Sequence, residues 1–377
     1  MDVAQTIFWI SGGFVAYVYA GYPLLITGLS RLRRIPPRST QADSQLPQVT
    51  VLMAVHNEAQ RLPAKIANLH ALDYPPDKLA ILLVSDGSTD GSIDSVQALP
   101  RVRAVGYPDR AGKARALNFA MPHVTSEFVV FCDVRQQLEG SSVRRLMENF
   151  RDSAVGAVSG ELIHRPAGSA TGRSIGLYWR YEKLIRKAES RFDSTVGASG
   201  ALYAIRTRDF TPLPTDTLLD DFEIPMQITR RGKRTVLESG ARVIDTLHEQ
   251  LADERKRKIR TLVGNFQSFW HHPWLFSPLH NRLWFQFISH KVFRLIVPYA
   301  LLSLLLASAV SPCILYKSAL ALQLLFYALA GLGYASDSAG ANRLVSFART
   351  FVDMNSAAVI ALLRFLSGRV NARWEKT

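Results

Sequence analysis

The chain has 377 residues, room for one large domain with appendages or for two domains of roughly 150 residues each; it carries 45 Lys and Arg against 31 Asp and Glu, a formal charge of +14. Its two cysteines, Cys132 and Cys313, lie in apolar runs, which excludes a disulfide framework and a cysteine zinc site. Much of the basic surplus flanks apolar segments, so it points to membrane lipids as the partner and away from nucleic acid.

No charge occurs from Ile7 to Leu29, and about 20 apolar residues are enough to span a bilayer as a helix. Arg31, Arg33, Arg34 and Arg38 follow at once, so the positive-inside rule puts this end in the cytoplasm and makes residues 1–34 an N-terminal anchor. A cleaved signal peptide would show a basic start and a shorter apolar core.

From Leu46 to about Glu254, apolar strand, loop and amphipathic helix repeat, which predicts an α/β domain with a mainly parallel sheet. Ligands in such sheets bind beyond the carboxyl ends of the strands, so the polar residues there are the candidates. VTVLMAV stops at His56, Asn57 and Glu58, and AILLVS stops at Asp86. A carboxylate at that place can accept hydrogen bonds from a ribose or a base, or cap the following helix. Gly112 and Lys113 precede a helix; the lysine can meet a diphosphate as a point charge or be solvated. FVVFCDV delivers Asp133, which either holds a divalent cation through oxygen or caps a helix. VGAVSGELIHRP reads as a strand, GLYWRYEKLIRKAESRF as a basic aromatic helix, and Gly197 and Gly200 as a turn that leaves room for an acceptor. Asp220 and Asp221 then open a helix toward Arg230, where adjacent carboxylates suit the helix dipole.

Five of the six residues from Arg255 to Arg260 are basic, which suits a solvated face or a membrane surface. The Trp-, Phe-, His- and Arg-rich stretch 265–294 suits a helix in the headgroup layer. Leu295 to Tyr334 reads as a hairpin of two spans broken near Ser311 and Pro312; Arg343 to Leu366, more polar, reads as interfacial or re-entrant. The domains expected are therefore 1–34, 46–265 and 266–377.

Taken together and in order, VHNEA, VSDGSTDGS, GKARALN, FCDVRQ, GASGALYAIR and LLDDFEIP resemble the membrane-embedded family 2 glycosyltransferases, relatives of cellulose, chitin and hyaluronan synthases. The resemblance covers roughly residues 48 to 265 and implies a GT-A fold, a Rossmann-like single domain, with inversion at the anomeric centre. It implies that Glu58 and Asp86 contact the nucleoside and that Lys113 approaches the diphosphate. Asp133 takes the first place of the DxD motif that binds Mg or Mn, and Asp221, with Asp220 beside it at the substrate, takes the place of the general base. The family's QxxRW motif aligns best with Arg257 to Thr261, so Arg260 becomes the arginine near the diphosphate. Two positions depart from the pattern. Arg135 replaces the second DxD carboxylate, so further ligands for a divalent cation would have to come from Gln137, His248 or the nucleotide. Arg257 and Thr261 replace the glutamine and the tryptophan; the latter belongs to the polymer-holding site, which leaves processivity open.

The expectation is a multi-pass cell-membrane enzyme with its catalytic domain in the cytoplasm. It would move a sugar from a nucleotide-sugar, a UDP-sugar first, to a cell-surface glycan or a lipid-linked acceptor, and its few spans leave room for an export or channel partner protein. A single transfer to a polyprenyl phosphate is the alternative within the fold. A sugar nucleotidyltransferase would show a glycine-rich loop where this chain reads HNEAQRLP. A non-catalytic, membrane-anchored binder of anionic polymers is the alternative of another class.

Overall fold

A computed structural model describes residues 2–32, 46–97, 99–165, 170–246, 251–340 and 342–368. Its sheet has eight strands, β1 Val49–Val55, β2 Leu79–Asp86, β3 Val102–Tyr107, β4 Phe128–Cys132, β5 Gln137–Leu138, β6 Val155–Arg165, β7 Leu202–Arg206 and β8 Arg234–Thr246. Their order is β3-β2-β1-β4-β7-β6-β8-β5. Every residue of β1 is buried, as an apolar strand covered on both faces should be. Its side chains alternate between two cores. Val49, Val51, Met53 and Val55 meet Leu62, Ile66 and Leu69 of α2 (Leu62–His70) and Val143, Leu146 and Met147 of α4 (Ser142–Asn149). Leu52 and Ala54 face Ala116, Leu117 and Ala120 of α3 (Lys113–Ala120). Each fully buried Leu or Ile contributes about 2 kcal/mol, which holds α2 in place although no side chain caps its N-terminus.

The sheet is mixed, with parallel pairings in the majority as the sequence predicts: β1 pairs in parallel with β2 and β4, β2 with β3, and β6 with β8, whereas β7 runs antiparallel to β4 and β6, and β5 antiparallel to β8. After β6 the chain makes α5 (Ala170–Phe192), which packs against the N-terminal helix, and re-enters the sheet at the end from which it left. Without a crossover, β7 must run backwards; the alternation of strand and helix in the sequence does not distinguish such an excursion from a crossover. Beyond β7, α6 (Asp220–Arg230) precedes β8, and α7 (Leu251–His271) follows it.

Among the described residues, four helices are long and apolar enough to cross a membrane: α1 Val3–Leu32, α8 Trp284–Val310, α9 Ile314–Ala335 and α10 Arg343–Leu366. The hairpin of α8 and α9 is as the sequence predicts. The single surface helix expected over 265–294 is not formed: α7 ends at His271, a short 3-10 turn runs from Pro273 to Phe276, and α8 begins at Trp284. Pro273, which cannot donate a backbone hydrogen bond, marks the break. Arg343–Leu366, read from the sequence as interfacial or re-entrant, forms one continuous 24-residue helix. Its polar groups face other helices: Arg349 donates to the Gly333 carbonyl at 2.7 Å, Asp353 accepts from Tyr334 Oη at 2.7 Å, and Asn355 donates to Tyr19 Oη at 3.3 Å. Polar side chains satisfied inside a bundle are compatible with spanning. Both α1 and α8 contain a π-helical stretch, Tyr17–Gly21 and Phe287–Val292, and these meet where Tyr17 Oη and Ser289 Oγ lie 2.8 Å apart.

Candidate active site

The sheet order reverses direction at β1, with β2 on one side and β4 on the other, and a ligand crevice forms beyond the strand ends at such a point. The loop after β1 is locked to the loop after β2. Asn57, at φ 56°, accepts from Thr89 N through its Oδ1 at 2.8 Å; Glu58 N donates to Ser92 Oγ at 2.8 Å, and Ala59 N to Asp90 Oδ2 at 3.0 Å. Asp86 is fully buried and accepts from Tyr107 Oη at 2.9 Å, Ala111 N at 2.6 Å and Gly112 N at 2.8 Å. In this geometry its carboxylate ties down the loop that delivers Lys113. Gly87, at φ +64°, allows that loop to close, because a Cβ there would lie 2.6 Å from Arg110 N.

Four predicted residues come together at the centre. Lys113 Nζ lies 3.2 Å from Asp133 Oδ1 and 3.1 Å from Asp220 Oδ1. Burial favours the neutral amine, but Asp133, Asp220 and Asp221 outweigh it and raise the lysine well above its usual range, so it is a fixed cation. Asp220 is buried and accepts on its other oxygen from Tyr203 Oη at 2.8 Å. Tyr203 is in place because β7 pairs with β4, which sets its ring stacked on Phe131 at 4.7 Å.

Asp221 is positioned by its own helix. Pro225 has no N–H, so the carbonyl four residues earlier, that of Asp221, loses its helical donor; it accepts instead from Ala198 N at 2.7 Å. The GASG turn is thereby fastened to the first turn of α6. Burial and the neighbouring Asp220 push the Asp221 carboxyl up to about 6, with Lys113 pulling the other way. Gly200 leaves space for it, since a Cβ at 200 would lie 2.9 Å from Asp221 Oδ2. Gly200→Ala is expected to displace that carboxylate and lower turnover about tenfold or more, with an unchanged elution profile on gel filtration. Turnover equal to wild type would show that the position of the Asp221 side chain does not matter.

Glu58 pairs with Arg61 at 3.1 Å. Arg257, half-buried, and Arg260, exposed, sit on α7, which packs along α10. α7 reaches the site through Gln267, whose Oε1 accepts from Leu218 N at 3.0 Å, and through Gly264, where a Cβ would strike Leu219 Cγ at 2.6 Å. It therefore braces the loop that leads into Asp220. Arg135 is bound to Asp245 at 2.5 Å and turned toward β8. Gln137 belongs to β5, opposite Ile244, and His248 lies outside the described residues. Among the described residues no group of three or more His, Cys, Asp or Glu could hold a metal ion. Asp133, partly exposed at 43%, still fits the usual magnesium mode of one or two carboxylates with phosphate oxygens and water.

Sequence reasoning missed Tyr203, Arg186 and Lys291. Arg186 donates to Ser159 Oγ at 3.0 Å, and the same oxygen accepts from Ser199 N at 3.0 Å, next to Gly200. The signal for Lys291 was available, because an ionisable residue in an apolar span marks function by default.

Residues 50–210 match the profile of Glycosyl transferase family 2, and residues 133–334 that of Glycosyl transferase family group 2. The poly-beta-1,6-N-acetyl-D-glucosamine synthase of Staphylococcus aureus (strain COL) is 24% identical over 234 residues, 59% of this chain and 56% of the relative. The protein of the same name in Staphylococcus epidermidis is 22% identical over 175 residues, 45% of this chain and 40% of the relative. The chain thus spans about half the length of the curated relatives it matches. Among solved structures, the mannosyltransferase PcManGT from Pyrobaculum calidifontis, in complex with GDP-Man and Mn2+, shares the fold with a TM-score of 0.72 at 23% identity, over 96% of this chain and 99% of that one.

Proposed function

Because the chain belongs to the family 2 glycosyltransferases, we propose that this membrane protein moves a sugar from a nucleotide-sugar to a glycan or lipid-linked acceptor, with Asp221 as the base. The observation that carries the reading is the Asp221 carboxyl, raised to about 6 beside the fixed cation Lys113. A general base works best when its pKa lies near the working pH. In the reaction the acceptor oxygen forms a bond to the anomeric carbon as the bond from that carbon to the diphosphate breaks. The acceptor proton goes to Asp221, and the nucleoside diphosphate leaves toward Lys113, whose ammonium stabilises the charge that develops there. A single in-line displacement of this kind inverts the anomeric centre. A divalent cation held by Asp133 and the diphosphate would add positive charge at the leaving group.

UDP-sugars are the first donors to test and the cytoplasm the side on which the reaction is proposed to occur. The test is nucleotide release by the detergent-purified protein across a panel of UDP-, GDP- and dTDP-sugars, with membrane extract as the acceptor source and with Mn, Mg or EDTA. Release from one donor supports the reading and identifies the sugar. Absence of release from every donor overturns it.

A further inference from the structure

The domain end of α8 brings Lys291 toward Asp221, where Arg186 of α5 joins it. Phe287, the first residue of its π-helical stretch, packs on Phe222, the residue after Asp221, with ring centroids 6.4 Å apart. Lys291 lies one turn further on, on the same side of the helix. The next residue back, His290, faces Glu189 at 2.7 Å and Glu182 at 3.1 Å, both on α5. Arg186 falls between those glutamates on the same face of α5, four residues after one and three before the other. Arg186 and Lys291 are therefore brought near each other between α5 and α8, and both act electrostatically on Asp221.

Neither cation has a carboxylate within ion-pair distance among the described residues. Arg186 donates to the neutral Ser159 hydroxyl. Of the nearby glutamates, Glu182 is paired with Arg294, and Glu189 uses Oε1 for Tyr22 Oη at 2.6 Å and for His290, while its Oε2 makes no hydrogen bond among the described residues and its charge acts on both cations from beyond ion-pair distance. Glu189 and Asp221 offset part of the repulsion between the two cations, but neither makes direct contact with them, which leaves their donors open to an anion that does. The donor's diphosphate has its own cation in Lys113, bound between Asp133 and Asp220. An anion that contacts Arg186 and Lys291 directly is then best supplied by the acceptor, and α8, long and apolar enough to cross a membrane, favours a lipid-linked one.

We propose that Arg186 and Lys291 form an anion-binding subsite that holds the phosphate of a lipid-linked acceptor beside Asp221. The inference rests on the transfer reading for its purpose, but it is tested by binding alone. Farnesyl phosphate and farnesol are titrated into the full-length protein in detergent, without donor, and binding is followed through tryptophan fluorescence. Farnesyl phosphate is expected to bind at least tenfold more tightly than farnesol, and K291Q and R186Q each to weaken it about tenfold. R255Q, which removes an exposed cation on α7, controls for net charge and leaves affinity unchanged.

Equal binding of farnesyl phosphate and farnesol, or equal loss in R255Q, overturns the subsite. Displacement by UDP would place the probe in the donor site and overturn it as well, and full displacement by inorganic phosphate at the same concentration would show that the lipid is irrelevant. In turnover, K291Q raises the KM for the acceptor at least tenfold and leaves the donor KM within twofold. Release stimulated equally in wild type and K291Q by a neutral chito-oligosaccharide would leave the transfer reading standing and overturn the subsite. Binding sensitive to K291Q in a protein that releases no nucleotide from any donor would do the reverse.

Discussion

Asp221→Asn is expected to lower sugar transfer by about 10²–10⁴-fold, the usual contribution of a positioned general base, while the KM for the donor stays within a few-fold. Asparagine has the shape of the carboxylate and keeps the backbone bond from Ala198, so the loss reports chemistry rather than architecture. The wild-type pH profile supplies the second half of the test. The base works only when ionised, and its carboxyl titrates at about 6, so kcat/KM should fall tenfold per unit as the pH drops below about 6. The residual activity of the variant should lack that limb. Stability should move the other way. A carboxyl raised from 3.8 to about 6 in the fold contributes stability that is fully present below 3.8 and lost as the pH rises through about 6. At pH 7.5 the neutral side chain escapes that penalty, so Asp221→Asn should unfold no earlier than wild type. A variant with near-normal turnover would remove Asp221 from the mechanism.

Lys113→Met should be nearly as damaging, for an electrostatic reason. The ammonium bridges Asp133 and Asp220 and also lowers the pKa of Asp221. Removing one partner of a fully buried pair costs about 3–5 kcal/mol, and partial exposure of Lys113 and Asp133 reduces that to about 2–4. That cost falls on stability; loss of the cation at the leaving diphosphate should separately lower kcat/KM roughly a hundredfold or more. The acid limb of the profile should move upward as well, since Asp220 and Asp133 then act on Asp221 with no cation among them. Lys113→Arg, which keeps the charge, should leave that limb near 6. A limb that stays put in Lys113→Met would mean that Lys113 acts only as a scaffold.

The central strands and the residues at their ends were legible because burial on both faces demands an uninterrupted apolar run, and only the crevice lets such a run stop in charge. VTVLMAV, AILLVS and FVVFC all stand where that logic puts them, and Asp220 opens its helix as expected. What local pattern could not supply was any partnership made by tertiary closure. Tyr203 reads like any aromatic strand residue until antiparallel pairing with β4 aims its hydroxyl at Asp220. Asp86 reads as a free strand-end carboxylate because Tyr107, Ala111 and Gly112 reach it only once β3 has docked. Glu189 and His290 are 101 positions apart and meet only through the membrane helices. The polar residues of α10 show a related limit: the sequence shows polarity but not which neighbour absorbs it.

The bond between Arg135 and Asp245 also constrains how this chain can change over generations. Asp245 is buried at the end of β8 and has Arg135 as its charged partner. A mutation that restored aspartate at 135 would strand one buried carboxylate and add a second beside it. A change at 245 alone would release the arginine toward the donor crevice. Each single step leaves a buried charge without its partner, so the two positions are energetically coupled, and a change at one is compensated by a change at the other.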